Sequence, residues 1–381
     1  MAKIDAFFRL MNAQGASDLH LSSGNQPSLR IRGDLERVNF GVLENDQLEE
    51  MLYEIAPDEK RRYFEQTGDL DFAYELPGVG RFRANYFQQA NGISAVFRQI
   101  PTEIMTIEQL GLPAVVKRFA MMEKGLVLVT GPTGSGKSTT LAAIVDYANR
   151  RRRDHIVTIE DPIEFQHRSR TCIINHRELH RDTQSFSAAL RGALREDPDI
   201  ILVGELRDLD SISLAIEAAS TGHLVLATLH TQSAAKTVER MIEVYPAEQQ
   251  EGVRSLLADS LRGVMSQALL KRSDGKGRVA AIEILVGTPA VRSMIREDKT
   301  YQLPTQMQTG RKYGMVYLDD ALEELVRTNE VAAEEAFEYA NEKERFVSYL
   351  RNVPEEYQEL LEHMARDRQS VAQAQQTGRR G

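Results

Sequence analysis

VTGPTGSGKSTT, residues 129–140, is the stretch on which the fold turns. The run before it, GLVLVT at 125–130, is continuously apolar and reads as a short buried strand. KSTTLAAIVDYANR, 137–150, reads as a helix. Between them Gly131, Gly136, Lys137 and Ser138 match G-x-x-x-x-G-K-[ST] in the strand–loop–helix setting that gives the pattern its meaning. The glycines let backbone N–H groups from Thr133 to Ser138 face an anion at the helix N-terminus. Gly131, Pro132, Thr133, Gly134, Ser135, Gly136, Lys137, Ser138 and Thr139 are therefore the expected nucleotide cradle. Lys137 is expected to reach the β- and γ-phosphates, and the Ser138 hydroxyl to bind Mg²⁺. The competing reading, a chance glycine-rich turn, leaves the flanking strand and helix unexplained.

Three more apolar runs follow: HIVTIE (155–160), PDIILVGE (198–205) and GHLVLATLH (222–230). Near-continuous apolar strands separated by helical patterns predict a parallel sheet covered on both faces, an α/β core over 120–287. The run at 198–205 ends in Glu205, where a Mg²⁺-organising acid belongs; the plainer alternative is an exposed strand-end glutamate. VTIEDPIEF, 157–165, places Glu160, Asp161 and, past Pro162, Glu164 at another strand end. Any of the three can be the carboxylate that orients and deprotonates water, and spacing does not choose. His223 and His230 bracket the last run. A metal site is unsupported, because no H-E-x-x-H pattern and only one cysteine are present. His230 falls at the C-terminal end of a parallel strand, the edge where such sheets bind ligands, and is expected to sense the γ-phosphate. His223 is expected to be its structural or coupling partner beside the nucleotide, or else a satisfied core residue.

Residues 1–100 read differently. Ile4, Phe7, Phe8 and Met11 follow helical spacing. SDLHLS alternates, PSLRIRGDLERV reads as a hairpin turning at Gly33–Asp34, and GDLDFAYELPGVGRFRANYFQQANGISAVFRQIP reads as two or three antiparallel strands. This is an α+β domain, followed by a linker at 101–119. Residues 288–353 are expected to be mostly helical, and the polar tail 354–381 to start helical and fray. The basic run Arg150–Arg153 is expected to cap a helix C-terminus rather than to grip nucleic acid.

Bulk properties agree with a soluble, multidomain protein. The chain has 381 residues, more than one ordinary core. No apolar run approaches the roughly 18–20 residues of a membrane span, so no direct membrane insertion is expected. The lone Cys172 excludes an internal disulfide and a cysteine-rich zinc module, and suits a reducing cytoplasm. A net charge of −9 argues against broad nucleic-acid binding.

GPTGSGKST, TIEDPIEF, ILVGELRD and TGHLVLATLHT, in this order, resemble the Walker A, Asp, Walker B and His boxes of the type II/type IV secretion ATPase superfamily. The four boxes together are far more specific than one P-loop, and the likeness runs from GASDLHLS to about Tyr349. It implies a RecA-like P-loop ATPase core with an N-terminal PAS-like α+β domain and a helical C-terminal region, assembled as a homo-hexamer. It implies ATP and Mg²⁺ as cofactors, Glu164 as the water-activating base and Glu205 as the Mg²⁺-linked acid. It also implies arginines of the N-terminal domain that complete a nucleotide site: Arg83 and Arg98 match, with Arg81 a lesser candidate. Within the superfamily the likeness is to the pilus retraction ATPases. These imply a cytoplasmic motor, peripheral at the inner membrane, that contacts a pilus platform protein and a paralogous retraction ATPase. The extra N-terminal domain of assembly ATPases is not expected, and their four-cysteine zinc site is excluded by the single cysteine. AVRSMIRE, 290–297, resembles the retraction family's AIRNLIRE and departs from it at Val291, Ser293 and Met294. The rival readings are an accessory retraction paralogue, a RecA-like nucleic-acid translocase, a small-molecule kinase and a non-enzymatic nucleotide switch.

Overall fold

Phe7, Phe8 and Met11 lie buried along one face of α1 (Asp5–Gln14) in the computed structural model of the protein, which describes residues 2–31, 33–100 and 103–358. Gly15 ends this helix in the left-handed conformation that favours glycine. β1 (Asp18–Ser22), β2 (Ser28–Ile31) and β3 (Asp34–Arg37) follow, then α2 (Asn45–Tyr53) and α3 (Asp58–Thr67), and then β4 (Asp69–Leu76), β5 (Gly80–Gln89) and β6 (Gly92–Ile100). The six strands form one sheet in the order β3-β2-β1-β6-β5-β4, and each neighbouring pair is antiparallel. The β2–β3 hairpin turns at Gly33, whose φ is 103°. One face of the sheet packs on α1: Phe8 stacks on Phe82 at 4.3 Å and meets Phe97 edge-on at 5.0 Å. Each such buried ring contributes about 1.5–3 kcal/mol.

The remaining elements are α4 (Val115–Ala120), β7 (Gly125–Thr130), α5 (Lys137–Asn149), β8 (His155–Glu160), β9 (Ile173–Glu178), α6 (Phe186–Ala193), β10 (Ile200–Val203), α7 (Leu209–Thr221), β11 (Leu224–Leu229), α8 (Ala234–Glu243), α9 (Ala247–Ser260), β12 (Leu261–Lys271), β13 (Arg278–Val286), α10 (Pro289–Arg296), α11 (Leu303–Thr309), α12 (Leu318–Arg327) and α13 (Ala333–Tyr339). The second sheet has seven strands in the order β13-β12-β7-β11-β10-β8-β9, where four apolar runs had been read. β7, β10 and β11 are buried at every position, as strands covered on both faces must be. β11 is parallel to β7 and β10, β12 is parallel to β7, and β13 returns antiparallel to β12.

The chain divides into two compact units that do not follow it contiguously. The first comprises residues 1–105, 159–169 and 174–189; the second comprises 106–158, 170–173 and 190 onward. The segment after β8 thus leaves the run 120–287 that the apolar pattern marks as one core.

Local chemistry fixes several ends. Asp208 and Ser211 form a reciprocal capping box at the start of α7. Ser233 caps α8, and Thr288 caps α10 ahead of Pro289. Three arginines of the basic run after α5 are taken up by structure: Arg150 pairs with Asp146 at 2.6 Å, Arg151 lies over the Tyr147 ring, and Arg152 donates to the carbonyls of Ala120 and Met122. On α10, Ser293 donates to Glu297 at 2.6 Å, while Val291 and Ile295 are buried. Of the tail, Glu355–Tyr357 forms a 3-10 turn whose Tyr357 meets Phe337 edge-on at 5.6 Å; the expectation for 359–381 lies outside the described residues. Among the described residues no helix is long and apolar enough to cross a membrane.

Candidate nucleotide-binding and catalytic residues

In the second unit β7 delivers Thr130 to the loop, and the loop bends through three glycines at positive φ: Gly131 at 138°, Gly134 at 79° and Gly136 at 90°. At Gly131 space as well as φ demands glycine, because a Cβ there would stand 2.3 Å from the Gln267 carbonyl oxygen and 2.6 Å from Ser135 Oγ. Ser135 Oγ is buried without a hydrogen-bond partner. α5 begins at Lys137 with no side-chain cap, so its first N–H groups point out of the loop. A cradle with an orphaned hydroxyl and an uncapped helix N-terminus fits a bound polyphosphate.

Lys137 Nζ folds back over the loop and donates to the carbonyls of Gly131 and Pro132 at 2.9 and 3.0 Å. It also lies 3.5 Å from His230 Nδ1. The other ring nitrogen of His230 is 3.1 Å from Glu205 Oε1, and Arg207 donates to Glu205 Oε2 at 2.9 Å. Parallel register explains the meeting: Gly204–Leu206 is clamped to β11 by Thr228, whose carbonyl accepts the Leu206 N–H at 3.0 Å and whose hydroxyl donates to the Gly204 carbonyl. Burial raises the Glu205 pKa, but hydrogen bonds and charge from Arg207 and His230 outweigh it and hold the carboxyl below its usual range. The structure therefore brings the cradle residues, Lys137, His230 and Glu205 together. Ser138 and Thr139 lie in the first turn of α5 and are part-buried.

His223 does not join them. It precedes β11, its ring Nδ1 is 3.0 Å from the Ala218 carbonyl, and its own carbonyl accepts the Gly125 N–H at 2.9 Å. It therefore stands at the start of β7, a whole strand, roughly 20 Å at about 3.3 Å per residue, from the phosphate loop. Two histidines close together in sequence sit at opposite ends of one strand. Within one chain His223 caps α7 and touches no cradle residue.

The carboxylates of the Asp box lie in the first unit. Glu160 is buried: its Oε2 accepts the Glu164 N–H at 3.2 Å, and its carbonyl accepts the Leu179 N–H at 2.9 Å. Glu164 and Asp161 are exposed. Arg83 Nε donates to both oxygens of Asp71, at 3.1 and 3.0 Å. That hydrogen bond, aided by the charges of Asp71, Asp161 and Glu164, keeps the guanidinium pKa above its ordinary value. Arg83 and Glu164 thus share one charged cluster. Arg98, cross-strand neighbour of Arg83, donates to buried Asp18 at 2.8 Å. Arg81 is the buried arginine, 7% exposed: it donates to Glu178 at 2.7 Å, and the same Glu178 oxygen accepts the Ile163 N–H at 3.2 Å. Arg81 and Glu178 therefore brace the turn that carries Glu164. Glu178 was not singled out in the sequence, because nothing local marks it. Asp161 and Asp71 also line a cavity of about 820 Å³ together with Lys60 and Arg181.

A family described as type II/IV secretion system protein matches residues 3–365. The chain belongs to the type II/IV secretion protein family. It is 55% identical, over 87% of its length and 96% of the relative's, to the type IV pilus retraction ATPase PilT of Pseudomonas aeruginosa. It is 38% identical to the type IV pilus ATPase PilU of the same organism, over 89% of each chain. Among solved structures, one described as the pilus retraction motor PilT with bound ADP superposes with a TM-score of 0.84 at 41% identity, covering 91% of this chain and 98% of that one. The mixed α/β fold, with its parallel sheet, is the fold of this secretion ATPase family.

In this secretion ATPase, His230→Ala removes one partner from Glu205 and one neighbour from Lys137. A hydrogen bond to a charged group is worth about 1.5–3 kcal/mol, so turnover is expected to fall about 10–100-fold with nucleotide binding retained. Steady-state phosphate release beside a nucleotide titration checks this; unchanged turnover removes His230 from the machinery.

Proposed function

We propose that this chain is the motor ATPase of type IV pilus retraction: a hexameric ring at the cytoplasmic face of the inner membrane that spends ATP hydrolysis on drawing pilins out of the fibre. The observation that carries the reading is the cluster of Lys137, His230 and Glu205 over a glycine cradle, in a chain 55% identical to a retraction ATPase along nearly its whole length.

The roles follow from position and chemistry. N–H groups of residues 133–138 bind the phosphates, and Lys137 leans from its carbonyl partners onto the β- and γ-phosphates. The Ser138 hydroxyl, with Glu205 through water, would hold Mg²⁺, which when bound neutralises phosphate charge. Glu164 takes the proton of the attacking water. Arg83 and Arg98, presented by the ring, spread over the charge that develops on the γ-phosphoryl oxygens. His230, held between Glu205 and Lys137, registers whether that phosphate is present. The partners are five further copies, the platform protein at the pilus base and a paralogous retraction ATPase.

Deleting the gene tests the physiological half of this reading. Cells that carry excess pili and do not twitch are the expected result, scored by surface pilin and by spreading beneath agar. Bald cells would instead make this an assembly motor, and cells that still twitch would leave it an accessory.

A further inference from the structure

A row of polar side chains runs through the apolar sheet beneath the His230 loop. Thr130 on β7 pairs with Ser266 on β12, and Ser266 pairs with Glu283 on β13. All three are buried, at 0%, 2% and 1% exposure. Thr237 on α8, also at 0%, contacts the row: its hydroxyl donates to the Ser233 carbonyl at 2.7 Å and lies 3.4 Å from Thr130 Oγ1 and 2.7 Å from Thr231 Oγ1. Burying such groups costs free energy unless each is satisfied, and an apolar residue at 283 would suit the strand better.

Glu283 reaches two places. Its Oε1 accepts the Ala234 N–H, the first of α8, at 2.6 Å. On its other side stands the start of α12: the backbone of Leu318 faces the same carboxyl, and the adjacent Ile284 exchanges two hydrogen bonds with Val316, at 2.8 and 3.0 Å. Burial raises the Glu283 pKa, while the Ala234 and Leu318 N–H groups favour the ionised form. Three residues separate His230 from Ala234, and Thr130 directly precedes the cradle.

We propose that Glu283 is the positioning residue that ties the His230 loop to α12, so that a nucleotide-driven shift of that loop reaches the C-terminal helices. The inference rests on the nucleotide reading of the cradle and adds to it the route by which the site's state leaves the site. Its physical basis is rigidity: the carboxylate holds the first N–H of α8, and the next residue of the same strand, Ile284, is bonded twice to Val316 just ahead of α12, so a shift at one is carried to the other.

The test is hydrogen exchange on the full chain, with and without a non-hydrolysable ATP analogue and Mg²⁺. Glu283→Gln keeps the shape but turns an amide donor toward backbone donors. In the unaltered protein, nucleotide is expected to change exchange in three segments: 131–138, 231–240 and 316–327. In Glu283→Gln the first two responses persist and the third shrinks at least threefold. kcat is expected to fall about tenfold with KM for ATP unchanged, since the cradle is untouched. Segment 316–327 is the readout because α8 has a separate tie to Thr300, from Glu239 at 3.0 Å. An unchanged response at 316–327 overturns the inference. Should Glu283→Gln fail to fold, Glu283→Asp, which keeps the charge but draws the carboxyl back by one methylene from the Ala234 N–H, is expected to weaken the 316–327 response, and a full response there overturns the inference equally. A protein whose 131–138 segment ignores nucleotide would sink the nucleotide reading and this inference with it.

Discussion

Glu164→Gln is expected to lower ATP turnover by about 10²–10⁴-fold, the usual contribution of a general base, and to leave nucleotide affinity unchanged. The substitution is isosteric, and the backbone it sits on is held by groups it does not touch. The Glu164 N–H is anchored on Glu160 Oε2, and the neighbouring Ile163 N–H on the Glu178 oxygen that Arg81 also grips. The side chain itself is exposed, so no packing is lost. What disappears is a carboxylate able to accept a proton. The measurement is phosphate release under saturating ATP beside a calorimetric titration with ADP. Three acids share the turn, and the structure separates them: Glu160 is buried and occupied with the Glu164 backbone, whereas Asp161 and Glu164 are exposed. If Glu164→Gln hydrolyses normally, Asp161→Asn is the next variant, and the base assigned above is lost.

How far the sequence revealed this site depends on how local each part is. The cradle was legible because one continuous stretch supplies the strand, the glycines and the helix start. β7, β8, β10 and β11 were legible because burial on both faces leaves an uninterrupted apolar run. β12 and β13 were not. LRGVMSQALLK begins directly where α9 ends, without a breaker, and carries Arg262, Ser266 and Gln267; RVAAIEILV carries Glu283. The side chains that hid these strands are the ones the fold uses: Gln267 donates to Thr140 Oγ1 at 2.9 Å behind the cradle, and Ser266 and Glu283 continue the row that starts at Thr130. α3 was hidden for a different reason, since Phe64 is its one buried side chain and shows no periodicity. The cluster of Arg83 with Asp71 and Glu164 had no local trace, because its members come from strands and a turn far apart in the chain. Only the resemblance pointed to Arg83 and chose Glu164 among the three acids of its turn, and nothing pointed to Glu178. The two histidines were read as bracketing one strand, and six strand residues do put them at its opposite ends; of the two readings kept for His223, the satisfied residue is the one its bond to the Ala218 carbonyl fits.

Lys137→Ala separates binding from chemistry in the other direction. Removing the ammonium is expected to cost about 10²–10³-fold in turnover, the scale for loss of one preorganised donor, and to weaken ATP binding as well. Nζ is held over the loop by two carbonyls, at 2.9 and 3.0 Å, and stands next to His230, so only a short swing takes it to an arriving phosphate. The fold should survive: Lys137 is part-buried at the first position of α5, and alanine is the best helix former there. Lys137→Arg should not rescue activity, because a planar fork does not reproduce a point charge seated against two carbonyls. The pair of variants is therefore diagnostic. Glu164→Gln should hold nucleotide and fail to cleave it; Lys137→Ala should fail at both, with an unchanged circular dichroism spectrum and melting temperature. A Lys137→Ala protein that binds ATP as tightly as the unaltered chain would mean that the cradle's N–H groups alone carry affinity, and the role of Lys137 would then be confined to the γ-phosphoryl group as it leaves.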